Sequence, residues 1–493
     1  MSLRQLVSQT AVYGLSSILG RFLNYLLVPL YTYTFSTGEY GVVSEFYAYA
    51  GFVAVLLVLG LETGYFRFRQ RPEFADERVY RNALSLLLLA NLAFAGGVWL
   101  WRDDLAAWLQ YPQHPEYPLW FAWILALDAL SALPFAKLRA ENRAWRFACI
   151  KMAEILIAIG LNLLLLLLWP KLAAIWPDSM IGRYYDPQVG VGYIFIANLV
   201  ASAAKLLLLL PQFRAVPFVL ERAVLAPVLR YSLPMIVIGL AGMVNEMLDR
   251  AILKLLLPYD LQTNLQQLGI YGACYKLSIL MTLFVQAFRY AGEPFFFSYA
   301  GRDDAKRAYA LVMKYFVIAG VSIFLLVALF IDLFQYFIGA EFRHGLAVVP
   351  ILLIANLLLG IYVNLSVWYK LSDRTGLGAW VALAGAGVTV ALNILLIPEY
   401  GYVGAAWATL VCYGFMVSLS WGLGRIYYPV DYPLLKIGFY FALGLGLYGA
   451  DRYAVAQYQW DVWLCGSLGM LIYLALAYWL DLRPVLGKRR ING

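Results

Sequence analysis

Residues 246–260 read EMLDRAILKLLLPYD. Leu, Ile, Ala and Met dominate, as in a helix that crosses a membrane. Yet Glu246, Asp249, Arg250 and Lys254 occur in the same stretch. On insertion scales a charged residue at the centre of a membrane helix costs roughly 2.5–3.5 kcal/mol. Four ionisable groups in one span therefore need partners or a polar cavity.

The flanking sequence sets the class. The chain has 493 residues, 63% hydrophobic and 13% charged. A soluble domain is about 45–50% apolar and about 25% charged. Runs such as LSLLLLANLAFAGGVWLW (84–101) and ILIAIGLNLLLLLLW (155–169) approach the ~20 residues that span hydrocarbon. The expectation is an all-α polytopic membrane protein. Fourteen spans are placed near 8–35, 41–66, 80–101, 119–140, 148–169, 191–211, 229–257, 268–292, 311–338, 346–369, 377–397, 402–424, 433–450 and 460–481.

Arg and Lys concentrate in every second loop. Arg67, Arg69, Arg71, Arg78 and Arg81 fall in one, Arg139, Arg143 and Arg146 in the next, and Arg214, Arg302, Lys370, Arg374 and Arg425 in later ones. The tail adds Arg483, Lys488, Arg489 and Arg490. By the positive-inside rule both termini are expected in the cytoplasm. No cleavable signal sequence is visible, so Met1 onward is expected in the mature chain. Cys149, Cys274, Cys412 and Cys465 are scattered singly and read as small core residues. With only His114 and His344 as histidines, metal or Ser/His/Asp chemistry has little to use.

The sequence repeats itself. Shifted by 231 residues, Tyr40-Gly41 falls on Tyr271-Gly272, Glu62 on Glu293, Phe66 on Phe297, Arg139 on Lys370 and Arg143 on Arg374. LNLLL at 161 meets LNILL at 392. A two-residue slip lays ILGRFLNYLLVPLY (18–31) over MLDRAILKLLLPYD (247–260), matching Arg21 with Arg250 and Pro29 with Pro258. The expected organisation is a six-helix lobe at 1–222, a second at 223–426, and two extra helices with a basic tail at 427–493. An even number of helices per copy keeps both in one orientation, and repeat-built transporters bind substrate where the copies meet.

Glu246, Arg250 and Lys254 are spaced by four and share one helix face. Their repeat partners Ser17, Arg21 and Tyr25 do the same. Arg21, Asn24, Tyr25, Arg250 and Lys254 are the candidate cavity residues. Glu246 can pair with Arg250, which leaves Lys254 with no obvious partner on its own helix. Glu246, Asp249, Glu62 and Glu293, with Arg67 and Arg289 near the last two, are candidate gating or coupling groups. Asp128 and Asp332 stand alone and read as bland.

Three stretches carry a family resemblance. STGEYGVVSEFYAYAGFVAVLLVLGLETGYFRF (36–68) resembles the second helix of the polysaccharide (O-antigen type) flippases, a family of the multidrug/oligosaccharidyl-lipid/polysaccharide exporter superfamily. LSDRTGLGAWVALAGAGVTVALNILLIPEYGYVGAAWATLV (371–411) is similar to their eleventh and twelfth helices, through Asn393, Leu396, Ile397, Pro398, Gly401, Gly404, Ala405 and Ala406. LRAENRAWRFACIKM (138–152) resembles the loop between helices four and five. The resemblance implies two lobes in a V with pseudo-twofold symmetry. It implies transfer of undecaprenyl-pyrophosphate-linked oligosaccharide to the outer leaflet of the bacterial inner membrane by alternating access. Arg on the cavity wall would bind the pyrophosphate. The two final helices resemble the extra pair of the lipid II flippase branch. No cofactor is expected; a coupling ion, H+ or Na+, fits the reading. The expected partners are lipid-linked oligosaccharide, membrane lipids and a polysaccharide polymerase, with no nucleic acid, and the chain is expected to act as a monomer and not as an enzyme. Three alternatives stand beside it: a cation-coupled drug or small-molecule exporter on the same fold, a membrane glycosyltransferase or polymerase, and a lipid II flippase. The cationic stripe speaks against the first, since typical drug substrates are cations. The second would need a long outer loop with catalytic groups, and 170–190 holds few charges.

Overall fold

The computed structural model describes residues 14, 18–71, 73–74, 76–213 and 217–483. Ser17, Arg214, Lys488, Arg489 and Arg490 lie outside the described residues. No strand occurs among the described residues. After a helical stretch at 18–25 come α1 (Leu27–Thr34), α2 (Thr37–Val58), α3 (Leu61–Phe68), α4 (Asp76–Leu100), α5 (Glu116–Ala140), α6 (Ala144–Leu163), α7 (Gly192–Leu209) and α8 (Arg222–Leu256). Then follow α9 (Leu261–Leu277), α10 (Ile279–Tyr299), α11 (Ala305–Leu329), α12 (Val348–Leu365), α13 (Thr375–Tyr427), α14 (Leu434–Tyr458) and α15 (Val462–Ala477).

Local chemistry sets the helix ends. Ser36 and Glu39 form a reciprocal cap at the start of α2: the serine hydroxyl accepts from the Glu39 N–H, and the Glu39 carboxylate accepts from the Ser36 N–H at 2.9 Å. Leu59 and Gly60 both adopt left-handed backbone, φ 55° and 62°, so the chain turns before α3. Within α13, Gly401 stands at φ 59°, ψ −143°, a conformation that a side chain would strain. Two spans expected at 377–397 and 402–424 are thus joined by a one-residue break, with Pro398 beside it.

Ten helices among the described residues are long and apolar enough to cross a membrane. Counting α9 and α10, bent by 50°, as one span gives eleven. The expected fourteen is not reached, for three reasons. Much of the first span lies outside the described residues. The eleventh and twelfth merge into α13. The thirteenth is present as α14, but Lys436, Asp451, Arg452 and its glycines and tyrosines leave it less apolar than the rest.

The chain forms two compact units. The first runs to Lys254 and includes Leu261–Gly269; the second takes Leu255–Asp260 and everything from Ile270. The repeat boundary at 222/223 follows internal sequence likeness, whereas this boundary follows which helices touch, and α8 up to Lys254 touches the first unit.

In the first unit, α5 packs on α2, α4 and α7, and α7 on α6. Leu61, Tyr65, Tyr80, Leu87, Leu133 and Val228 form one buried cluster. The start of α9 crosses α2 so closely that a Cβ on Gly41 would strike the Leu265 carbonyl, and one on Gly269 the Thr37 carbonyl. In the second unit α12 packs on α13, and α11 on α12, α14 and α15. Gly320 meets Leu357 and Gly360 meets Phe316 at the α11–α12 crossing. Lipid offers no hydrophobic gain for helix association, so close approach at small residues and polar contacts supply the cohesion. The cysteines are all free; Cys274 and Cys412 are buried as expected, but Cys149 is exposed.

Candidate functional site

The polar face of α8 is present and mostly buried. Asp249, Arg250 and Lys254 are 3%, 7% and 4% exposed, and Glu246 is half-buried. The expected Glu246–Arg250 pairing uses a different atom. The Arg250 guanidinium donates to the Glu246 carbonyl and, from Nε at 3.3 Å, to the Asp249 carboxylate. One turn on, Lys254 has a partner that its own helix could not reveal. Its Nζ lies 2.6 Å from Glu45 of α2 and donates to the Leu109 carbonyl at 2.9 Å. Glu45 also accepts from Tyr111 and, at 2.9 Å, from Tyr49. Burial, with the Glu45 carboxylate beside it, pushes the Tyr111 phenol up, so it remains a donor. A buried ion pair survives only when its remaining lone pairs and protons are met, and these are. Lys254 is thereby a member of a sealed cluster rather than a solitary cation. The sequence hint was a lone Glu in an apolar span with Tyr four residues later.

Arg21 and Asn24 are exposed on the helical stretch 18–25, and Tyr25 is 8% exposed. Both Arg21 and Arg250 belong to the first unit.

The matched carboxylates have matched partners. Glu62 pairs with Arg139, and Glu293 with Lys370 at 2.6 Å. Arg139 and Lys370 are the residues that the 231-residue shift superposes. Arg289 also reaches Glu293, at 3.5 Å, as its spacing suggests. Arg67 does not take the corresponding place: it is exposed, and its guanidinium sits 4.5 Å from the Tyr231 ring centroid. Asn162 and Asn393 also correspond, each buried and donating to the carbonyl four residues back.

Two charge clusters were not foreseen. Asp128, which looked solitary, accepts from Lys205 and from Ser202, each at 2.6 Å. Lys205 also donates to Glu154 at 2.6 Å, and Lys151 reaches Glu154 at 3.4 Å. In the second unit Asp481 accepts from Lys314 at 2.6 Å, Lys436 at 2.7 Å and Tyr440 at 2.7 Å, tying the end of the last span to α11 and α14. No group of three His, Cys, Asp or Glu placed to hold a metal occurs among the described residues.

No family model matches the sequence, and no curated protein matches it. Solved structures do. The lipid II flippase MurJ in an inward closed conformation matches with TM-score 0.67 and 13% identity, over 96% of this chain and 99% of that one. An inward-facing multidrug resistance MATE family transporter of the MOP superfamily matches with TM-score 0.63 and 12% identity, over 85% and 94%. The MATE multidrug transporter DinF-BH matches with TM-score 0.59 and 16% identity, over 86% and 96%. At these identities the likeness is one of fold: this chain is a multi-pass helical membrane protein with the fold shared by those flippases and exporters.

Proposed function

We propose that the chain is a flippase that moves undecaprenyl-pyrophosphate-linked oligosaccharide from the inner to the outer leaflet of the bacterial cytoplasmic membrane by ion-coupled alternating access, with both termini in the cytoplasm. The observation that carries the reading is the extent of the fold match. The flippase structure matches 96% of this chain, while the exporters match 85% and 86%. The shortfall is about the length of the last two helices.

A lipid pyrophosphate concentrates negative charge, and the planar Arg fork fits phosphate oxygens two at a time. Arg21 and Arg250 are the proposed pyrophosphate ligands, with Asn24 and Tyr25 beside Arg21. Arg250 is held in place by Asp249 and the Glu246 carbonyl, so little side-chain freedom is lost on binding. Lys254 fixes α8 through Glu45. Glu62 with Arg139, and Glu293 with Lys370 and Arg289, are proposed to brace the gate helices in both copies without carrying the coupled proton. A polysaccharide polymerase is the proposed partner, and a monomer the proposed working unit. A lipid II flippase is the second reading, favoured by the name of the structure that matches over 96% of the chain.

The test is flipping in proteoliposomes with a fluorescent undecaprenyl-pyrophosphate oligosaccharide, read by an impermeant quencher. Lipid II and a cationic fluorescent dye serve as rival substrates. The reading expects flipping of the oligosaccharide lipid, its loss in Arg21→Ala, and partial activity in Arg250→Lys. Arg250→Lys is the better variant there, because Arg250→Ala removes the guanidinium that reaches the buried Asp249 carboxylate. Transport of the dye without lipid flipping refutes the proposal.

A further inference from the structure

We propose that Asp128, Glu154 and Lys205 form the proton-coupling centre of the transporter, with Asp128 as the group that gains and loses the proton. This rests on the transport reading above and names where its ion acts. The three residues come from three helices, α5, α6 and α7, and each lies well inside its span. Lys205 is the hub, its side chain 3% exposed, with Asp128 and Glu154 oxygens both at 2.6 Å. Asp128 keeps 43% of its side chain exposed. A half-exposed carboxylate in mid-span cannot face hydrocarbon cheaply; such groups face a bundle interior or a water-filled cavity. Asp128 thus has what a proton carrier needs, access to water on one side and a buried counter-charge on the other.

The repeat supplies an independent argument. Charges that the shared helix arrangement requires should recur in both copies, and Glu62–Arg139 does so as Glu293–Lys370. Under the same shift Asp128 falls on Leu359, Glu154 on Gly385 and Lys151 on Ala382, so both carboxylates are missing; Lys205 falls on Lys436, which lies on α14, beyond the matched helices. The second copy builds the same helices without this cluster. The helix arrangement shared by the two copies therefore does not require it.

The arrangement has two states that differ by one proton. With Asp128 ionised, Lys205 bridges two carboxylates and ties α5 and α6 to α7. When Asp128 takes a proton from water, Lys205 keeps Glu154 alone, and the Ser202 hydroxyl is the remaining polar contact of Asp128 with α7. Protonation so loosens one helix against its neighbour, which is the kind of local charge change that biases a two-state element. The groups facing Asp128 are Lys205 and Ser202 from α7, Glu154 and through it Lys151 from α6, and the Tyr47 phenol from α2, close enough to feel its charge.

The experiment is infrared difference spectroscopy of the full chain in liposomes, without substrate, across a pH step. The proposal expects a protonated-carboxyl band that Asp128→Asn removes and that Glu62→Gln and Glu293→Gln retain. A band of full size in Asp128→Asn overturns it. If Asp128→Asn fails to insert, Asp128→Glu decides: a moved midpoint supports the assignment, and an unmoved one overturns it. Flipping of the fluorescent oligosaccharide lipid is then followed against pH. Wild type should change by about fivefold or more, the low end of usual coupling between sites, and Asp128→Asn should be flat. An Asp128-dependent band in a protein that flips nothing sinks the flippase reading and leaves the proton site standing.

Discussion

The two units solve the same architectural problem with different charges. Each ties the break-containing second helix of its copy to a neighbour through one half-exposed ion pair, Glu62–Arg139 in one and Glu293–Lys370 in the other. Among the described residues only the first also buries Glu45–Lys254 and the Lys205 cluster, whereas the second buries Asp481 with Lys314 at the end of its last helix. What is duplicated belongs to the shared scaffold. What is present once is not required by the shared scaffold and has to be explained within its own unit.

The largest effect should come from the most buried pair. Lys254→Ala leaves Glu45, fully buried, without its counter-charge and should cost about 3–5 kcal/mol of stability. Adding Glu45→Gln to Lys254→Met should recover most of that loss, since an apolar or neutral replacement of both partners is often tolerated. Unfolding in mixed micelles measures both; a cost below about 1 kcal/mol for the single variant would mean the site is hydrated. Asp481→Ala strands Lys314 and should cost somewhat less, about 2–4 kcal/mol, because Lys436 is half-exposed and can turn to solvent. Protease cutting near Gln459–Asp461 should rise with it, as α15 loses its tie to α11.

The duplicated pairs should matter little and equally. Glu62→Gln and Glu293→Gln should each cost about 0.2–1 kcal/mol, since all four side chains retain substantial exposure. A large cost in one copy only would break the symmetry on which the comparison rests. Smallest is a pH effect at Glu221, in the loop before α8. Hydrogen bonds from Arg78 and Asn82 hold its carboxyl below the usual range. A lowered folded value means the contribution is present above the unfolded carboxylate value and fades as pH falls through the folded one. The protection of the Glu221 amide against hydrogen exchange, relative to its intrinsic rate at each pH, should fall on acidification and less so in high salt; that amide donates to Asn82 Oδ1 at 2.5 Å.

Much of the fold was legible because apolar length is a local property. The repeat was legible because Glu62, Arg139, Tyr40 and Asn162 are unusual enough in a Leu-rich chain to be matched by eye. The same shift superposed Arg139 on Lys370 without pairing either with a carboxylate, and spacing along one helix foresaw Arg289 beside Glu293 but not Arg139 beside Glu62. Lys205 and Glu45 were missed for the complementary reason. Each is a single charge in an apolar run, and its partner lies on another helix, a relation that periodicity cannot carry. The Gly401 break was hidden because one residue of unusual backbone replaces a loop.

The most direct test sets the unmatched charge against the matched ones in a single assay. Proteoliposomes carry wild type, Asp128→Asn, or the Glu62→Gln/Glu293→Gln double variant, and flipping of the fluorescent oligosaccharide lipid is measured across a pH series. The expected result is pH-dependent flipping in wild type and in the double variant, and pH-independent flipping in Asp128→Asn. If the double variant goes flat while Asp128→Asn keeps the wild-type profile, coupling resides in the duplicated pairs, and the division between shared scaffold and singular chemistry is wrong.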